Sequence, residues 1–268
     1  MIYFLLSLAG LIGGFIAGLT GIGTGFLMIV VIPMALQYMN IPETEMVRYT
    51  IANTIFATMC SAFVNNITMW KRKQFYPKEL LWVTLTAIIS SSLILHFFVL
   101  RSHYSKDTYN TILIFFLAYI IYRTIHKLRK PFHYTETTTT TKLAVTGTTA
   151  GIVSSITGLG GGSIIIPMLN LWMKMDIKKA KSISFGAIFG ISFILTILNL
   201  INRPEVSTPY NHVGYILVPI AVPLAIGVIL ASPLGTGISE RLSSRTISII
   251  FIIVISMVLM RKLLELWH

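Results

Sequence analysis

The chain has 268 residues, 54% of them hydrophobic and 11% charged, and its 21 Lys and Arg against 9 Asp and Glu give a net charge of +12. A soluble domain carries about twice that share of charge, so the composition excludes an ordinary globular domain and points to lipid as the solvent. The basic excess sits in short gaps between apolar runs, where it marks cytoplasmic loops rather than a nucleic-acid-binding face, and a single cysteine, Cys60, excludes a disulfide framework.

The first apolar run, 2–20, lacks a basic leader and passes into glycines instead of a cleavage site, so it reads as a retained helix. Runs at 25–39, 47–70, 80–100 and 108–126 follow, then 142–157, 163–174, 181–202, 212–234 and 246–264. Each is expected to be helical, because lipid tolerates no open sheet edge and none alternates like a barrel strand. The expected fold class is therefore an all-α integral membrane protein with roughly eight to ten membrane segments. A first repeat over 1–130, a Thr-rich linker over 131–141 and a second repeat over 142–268 divide it, with Arg129-Lys130-Pro131 ending the helix before the linker.

The repeat is visible in the residues. Thr20-Gly21-Ile22-Gly23-Thr24-Gly25 matches Thr157-Gly158-Leu159-Gly160-Gly161-Gly162 at an offset of 137, and a proline follows each cluster, Pro33 and Pro167. After the prolines the offset is 134, which pairs Thr50 with Ser184, Asn53 with Ala187, Asn65 with Asn199 and Asn66 with Leu200. Each half reads as a glycine-broken helical hairpin followed by three full spans.

Charge suggests the orientation. The gaps 71–78 and 123–142 are rich in Lys and Arg and belong inside, whereas 40–48 holds Glu43 and Glu45 with only Arg48 and belongs outside. The duplicate of that acidic gap, 174–181, carries Lys174, Lys178, Lys179 and Lys181 and belongs inside, so equivalent loops fall on opposite sides. That is the mark of inverted repeats, with both termini outside.

Broken helices entering from opposite faces would meet near the midplane, where freed backbone groups need protein, water or ligand. The candidate substrate-binding residues are accordingly Thr20, Gly21, Gly23, Thr24 and Gly25 of the first cluster, Thr157, Gly158, Gly160, Gly161, Gly162 and Ser163 of the second, and Thr50, Asn53 and Ser184 on the helices that follow. Helix N-termini beginning near Phe26 and Ser163, with hydroxyls beside them and no carboxylate, suit an oxyanion. The competing reading is close helix packing, which the four-residue spacing of Gly10, Gly14 and Gly18 favours. Asn65 and Asn199 read as interhelical hydrogen bonds, Arg48 and Arg123 as snorkelling cations, Cys60 as core packing, and His96 as an interface histidine that looks buried. No Asp or Glu lies deep in an apolar run, and neither a zinc-binding His-Glu-x-x-His nor a Gly-x-Ser-x-Gly elbow occurs, so the expectation is a non-enzyme with no catalytic residues and no metal.

The duplicated Thr-Gly-x-Gly-Gly-Gly run with a proline shortly after, in a chain of this size, resembles the sulfite exporter TauE/SafE family, also called the toluene-sulfonate uptake permeases. The resemblance covers about 11–264; the first copy departs from the pattern at Thr24, where glycine is expected, and by three extra residues before Pro33. It implies multi-pass transport of sulfite, sulfonates or related sulfur oxyanions across a bacterial or archaeal cytoplasmic membrane, with no organic cofactor. The partners expected are a small anionic substrate and the lipid bilayer, with no nucleic acid and with room for a homo-oligomer. The competing functions are a non-transporting membrane partner or assembly protein, and a carrier of a different metabolite or ion.

Overall fold

The computed structural model describes residues 2–100, 105–128, 136–206 and 208–267. In chain order the helices are α1 (Ile2–Thr20), α2 (Gly25–Tyr38), α3 (Glu43–Lys71), α4 (Pro77–Ile94), α5 (Lys106–Leu128), α6 (Thr140–Thr157), α7 (Gly162–Pro167), α8 (Ile177–Ile201), α9 (Val218–Ser239) and α10 (Ser244–Trp267). Five-residue π-helical turns extend α4 (Leu95–Val99) and α7 (Met168–Trp172). Among the described residues six helices, α1, α4, α5, α8, α9 and α10, are long and apolar enough to cross a bilayer.

Helix ends follow local chemistry. Pro77 occupies the first turn of α4, where its missing N–H costs nothing. Thr139 caps α6, and Asp176 caps α8 by accepting from Lys178 N at 2.9 Å. The α6 helix therefore starts inside the span expected to be linker, while Arg129-Lys130-Pro131 and the linker's first residues lie outside those described. Glu136 and Thr137 of the linker are tied down, Glu136 to Lys179 at 2.9 Å and Thr137 N to Met173 O at 3.0 Å.

The run 212–234 is not one helix. Its first residues form a hairpin of β1 (His212–Val213) and β2 (Ile216–Leu217), and helix begins only at Val218, with Pro219 in its first turn. Gly214 turns the hairpin with φ +55°, packed against the carbonyls of Asn199, Leu200 and Asn202. A backbone ladder survives here because α3 completes it: Asn53 donates to Tyr215 O at 3.1 Å and accepts from Leu217 N at 3.1 Å. His96 is exposed rather than buried, its ring edge-on to Phe97, since two and a half turns past buried Ala87 it falls on the opposite face of α4. Cys60 is half-buried and packs at the edge of the core.

Two glycine seams hold the bundle. A methyl group on Gly10 would stand 2.5 Å from Leu224 O, and one on Gly14 2.7 Å from Val228 O, while Gly18 abuts Ser232 and Thr236. Contacts advance together along both chains, so α1 and α9 run parallel with their backbones nearly touching, the packing reading of the four-residue spacing. Gly147 and Gly151 of α6 make the equivalent approach to Val83 and Ala87 of α4. Pairing is thus reciprocal between the halves: α1 lies on α9 as α6 lies on α4, and α3 crosses α8 as α5 crosses α10.

The centre is α3 with α8. Helix α3 is 29 residues long, about 43 Å, and it buries Thr50, Asn53, Thr54, Thr58, Ser61 and Asn65. At 3.6 residues per turn these form one polar stripe along the inward face. Asn65 accepts from Thr236 Oγ1 at 2.8 Å and Ser61 pairs with Ser232 at 2.8 Å, as interhelical hydrogen bonds do in lipid.

Candidate anion site at the glycine loops

Both loops start from the same local device. Thr20 Oγ1 donates to Ile16 O at 2.8 Å and accepts from Ile22 N at 3.4 Å; Thr157 Oγ1 donates to Val153 O at 2.6 Å and accepts from Leu159 N at 3.2 Å. One hydroxyl thus closes the last helical turn and holds the first loop amide, which explains the Thr-Gly start at each end. Gly21 (φ +79°) and Gly23 (φ +105°) then reverse the chain in the first loop, while Gly158, Gly160 and Gly161 (φ +75°, +79° and +75°) do so in the second. Thr24 stands where the second loop has Gly161, and it is right-handed at φ −78°, so a side chain fits there.

The loops touch. A methyl group on Gly25 would stand 2.6 Å from Leu159 Cα, and one on Gly162 2.5 Å from Ile22 O. Side chains from α3 and α8 clasp them: Thr58 Oγ1 lies 2.9 Å from Thr24 Oγ1, Ser184 Oγ donates to Gly21 O at 3.0 Å, and Gly158 sits on Ile51 and Thr54. Thr50, Thr54, Ser154 and Ser163 are buried with hydroxyls that have no hydrogen-bond partner, an unfavourable state unless something polar visits them.

Two cavities approach this contact from opposite ends of α5. The first, about 70 Å³, is walled by Thr20, Ile22, Arg123, Thr124, Lys181 and Ser248 among others. The second, about 260 Å³, is walled by Thr50, Lys106, Tyr109, Asn110, Lys262 and Glu265 among others. Tyr109 and Arg123 lie about 21 Å apart along the helix. Each cavity reaches the end of the helix that precedes a glycine loop: Lys181 Nζ lies 3.5 Å from Leu19 O, and Tyr109 donates to Thr157 O at 3.2 Å. Ser163 faces a third space of about 560 Å³ beside Arg123, Tyr119 and Trp172.

The family model for the sulfite exporter TauE/SafE matches residues 6–261. The chain belongs to the TauE/SafE family.

Two similar proteins carry the name probable membrane transporter protein. One, from Methanocaldococcus jannaschii, is 26% identical over 253 residues, covering 91% of this chain and 89% of its own. The other, from Haemophilus influenzae, is 25% identical over 258 residues, covering 93% and 94%. This TauE/SafE chain is thus a multi-pass membrane protein of a transporter family.

Of the residues singled out from sequence, the TauE/SafE fold brings Gly21, Gly23, Thr24, Gly25, Gly158, Gly160, Gly162 and Ser184 into or against the loop contact, while Gly161 packs on Ala150 of α6. Thr20 lines the first cavity and Thr50 the second. Thr157 anchors its loop, and Ser163 opens sideways. Asn53 belongs elsewhere, with its amide committed to the hairpin. Lys181, Lys262, Thr54, Thr58 and Tyr109 were not singled out. In the sequence Lys181 is one of four lysines at a helix start, and only the fold shows that it alone turns inward, 5% exposed. A buried ammonium carries a large desolvation cost, which is why such residues mark functional places in membrane proteins.

Proposed function

We propose that this protein carries a small sulfur-containing anion, sulfite, an organosulfonate or a related oxyanion, across the cytoplasmic membrane of a prokaryote by alternating access. The observation that carries this reading is the contact of the two glycine loops with a cavity approaching from either end. In a carrier of this kind the cargo occupies the loop contact, among the loop amides and the hydroxyls of Thr24, Thr50, Thr58 and Ser184, and one half rocks against the other to expose it first to one side and then to the other. Residues 1–130 and 142–268 are read as inverted repeats; the reciprocal seams of α1 on α9 and α6 on α4 support this, as does the reversed loop charge.

The cargo class rests on charge. Among the described residues no carboxylate lines the first cavity, whereas Lys181 and Arg123 do. The family description, sulfite exporter, supports sulfur within that class.

Thermal unfolding of the detergent-purified protein against sulfite, sulfate, thiosulfate, sulfoacetate, taurine, chloride and phosphate tests the reading, since a ligand of the folded state raises stability with the logarithm of its concentration over its affinity. A rise confined to sulfur anions is expected. No rise with any anion contradicts it and returns weight to a non-transporting assembly role.

A further inference from the structure

We propose that Lys181 is the charge-bearing anion ligand of the first cavity and that its cargo is a small inorganic oxyanion, an assignment that rests on the carrier reading and sharpens it.

The argument begins with room. Gly21 lacks a side chain where one would meet Lys181 Cγ at 2.6 Å, so the lysine stem passes the first glycine loop and delivers its ammonium beneath it. The ammonium meets only neutral groups: Ser239 Oγ, Leu19 O at 3.5 Å and the face of Phe185 at 5.6 Å. Among the described residues no carboxylate stands within ion-pair distance of it. Glu240 and Arg72 act on it only at longer range, and Glu240 is already engaged by Lys178 at 3.4 Å and Arg72 at 3.8 Å. Arg123 adds a second cation to the same wall.

The opposite cavity is a built-in comparison. Lys106, Arg261 and Lys262 line it, but each faces a carboxylate: Glu265 lies 2.6 Å from Lys262 and 3.7 Å from Arg261, and Glu43 lies 2.8 Å from Lys106, while Lys262 also donates to Asn110 Oδ1 at 3.2 Å. Lys181 and Lys262 are not repeat equivalents. At the offset of 134 Lys181 matches Val47, and at the offset of 138 set by the capping pairs Ser105–Thr108 and Ser243–Thr246, Lys262 matches Thr124. Among the described residues the lysine of the first cavity therefore has no carboxylate partner, whereas every cation lining the second has one, so the tight anion station lies at Lys181. A space of about 70 Å³ suits an oxyanion of a few heavy atoms better than a bulky organosulfonate.

The experiment is equilibrium binding of radiolabelled sulfite to the purified full chain, comparing wild type with Lys181→Met, Lys181→Arg and Lys262→Met. Expected are a loss of affinity of about tenfold or more for K181M and values within about threefold of wild type for K181R and K262M, tenfold being about 1.4 kcal/mol. Lys181→Gln, whose amide can still donate to Leu19 O and Ser239, gives the same test if the methionine variant does not fold. Wild-type binding that K181M or K181Q leaves unchanged overturns the role of Lys181 while the carrier reading stands. Absence of binding of sulfite, sulfate and thiosulfate by wild type overturns the inorganic-oxyanion assignment, and absence of binding of sulfoacetate and taurine as well overturns the carrier reading.

Discussion

Ser184 on α8 donates its hydroxyl to the carbonyl of Gly21 at 3.0 Å, and thereby ties the central helix of one half to the glycine loop of the other. Both groups are buried, so Ser184→Ala leaves that carbonyl without its partner and costs about 1–2 kcal/mol. Ser184→Thr, which keeps a hydroxyl on the same carbon, should restore most of the loss. Thermal melts of the three proteins check this.

Asn53 predicts a purely structural effect. Its amide joins Tyr215 O and Leu217 N, so Asn53→Ala strands two buried backbone groups of the hairpin and should cost about 2 kcal/mol. Amide hydrogen exchange should accelerate at Leu217, whose N–H loses its acceptor, well before it changes in α1 or α9. Uniform acceleration along the chain would contradict this role.

The glycine loops were legible in the sequence because their density, duplication and following prolines break helices in any context. The two central helices were legible too, but their division of labour was not. Thr50 and Asn53 lie three residues apart on one apolar run, yet one lines a cavity and the other holds a hairpin about 160 residues away. That hairpin was hidden because Val213, Ile216 and Leu217 merge in composition with the helix after Pro219. Lys181 and Lys262 were hidden for a related reason: at helix ends a lysine reads as a loop charge, and only packing shows that these two turn inward. Thr20 and Thr157 were legible as special, but their hydroxyls proved to serve the loop backbone in both copies.

The α1–α9 seam should be sensitive to size alone. Gly14→Leu would push a side chain onto backbone atoms of Val228 that lie within 2.8 Å of the first added carbon, and overpacking of this kind costs about 1–3 kcal/mol or more. Thermal stability should fall. Gly237, where an added carbon meets nothing nearer than 3.7 Å, should accept Ala at little cost as a control.

Arg48 links Glu45 at 3.4 Å and Glu205 at 2.9 Å, but the two carboxylates differ in burial, 1% and 72% exposed. Glu205→Gln should change stability by less than about 1 kcal/mol, as exposed pairs do. Arg48→Met leaves Glu45 buried without a counter-charge and should cost about 3 kcal/mol. Adding Glu45→Gln to Arg48→Met should recover part of that, which a double-mutant comparison of melting temperatures reads directly.

The central claim is that a small sulfur anion crosses through the paired glycine loops, and the most direct measurement is counterflow of radiolabelled sulfite in proteoliposomes of wild type and Gly160→Leu. Gly160 is left-handed at φ +79°, and a side chain there would meet Thr58 Cγ2 at 2.6 Å, inside the loop contact rather than in a supporting seam. Counterflow by wild type, abolished in a Gly160→Leu protein that still purifies as a monodisperse membrane protein, is the predicted result. Normal sulfite flux in that variant, or none in wild type for any sulfur anion, would contradict the claim.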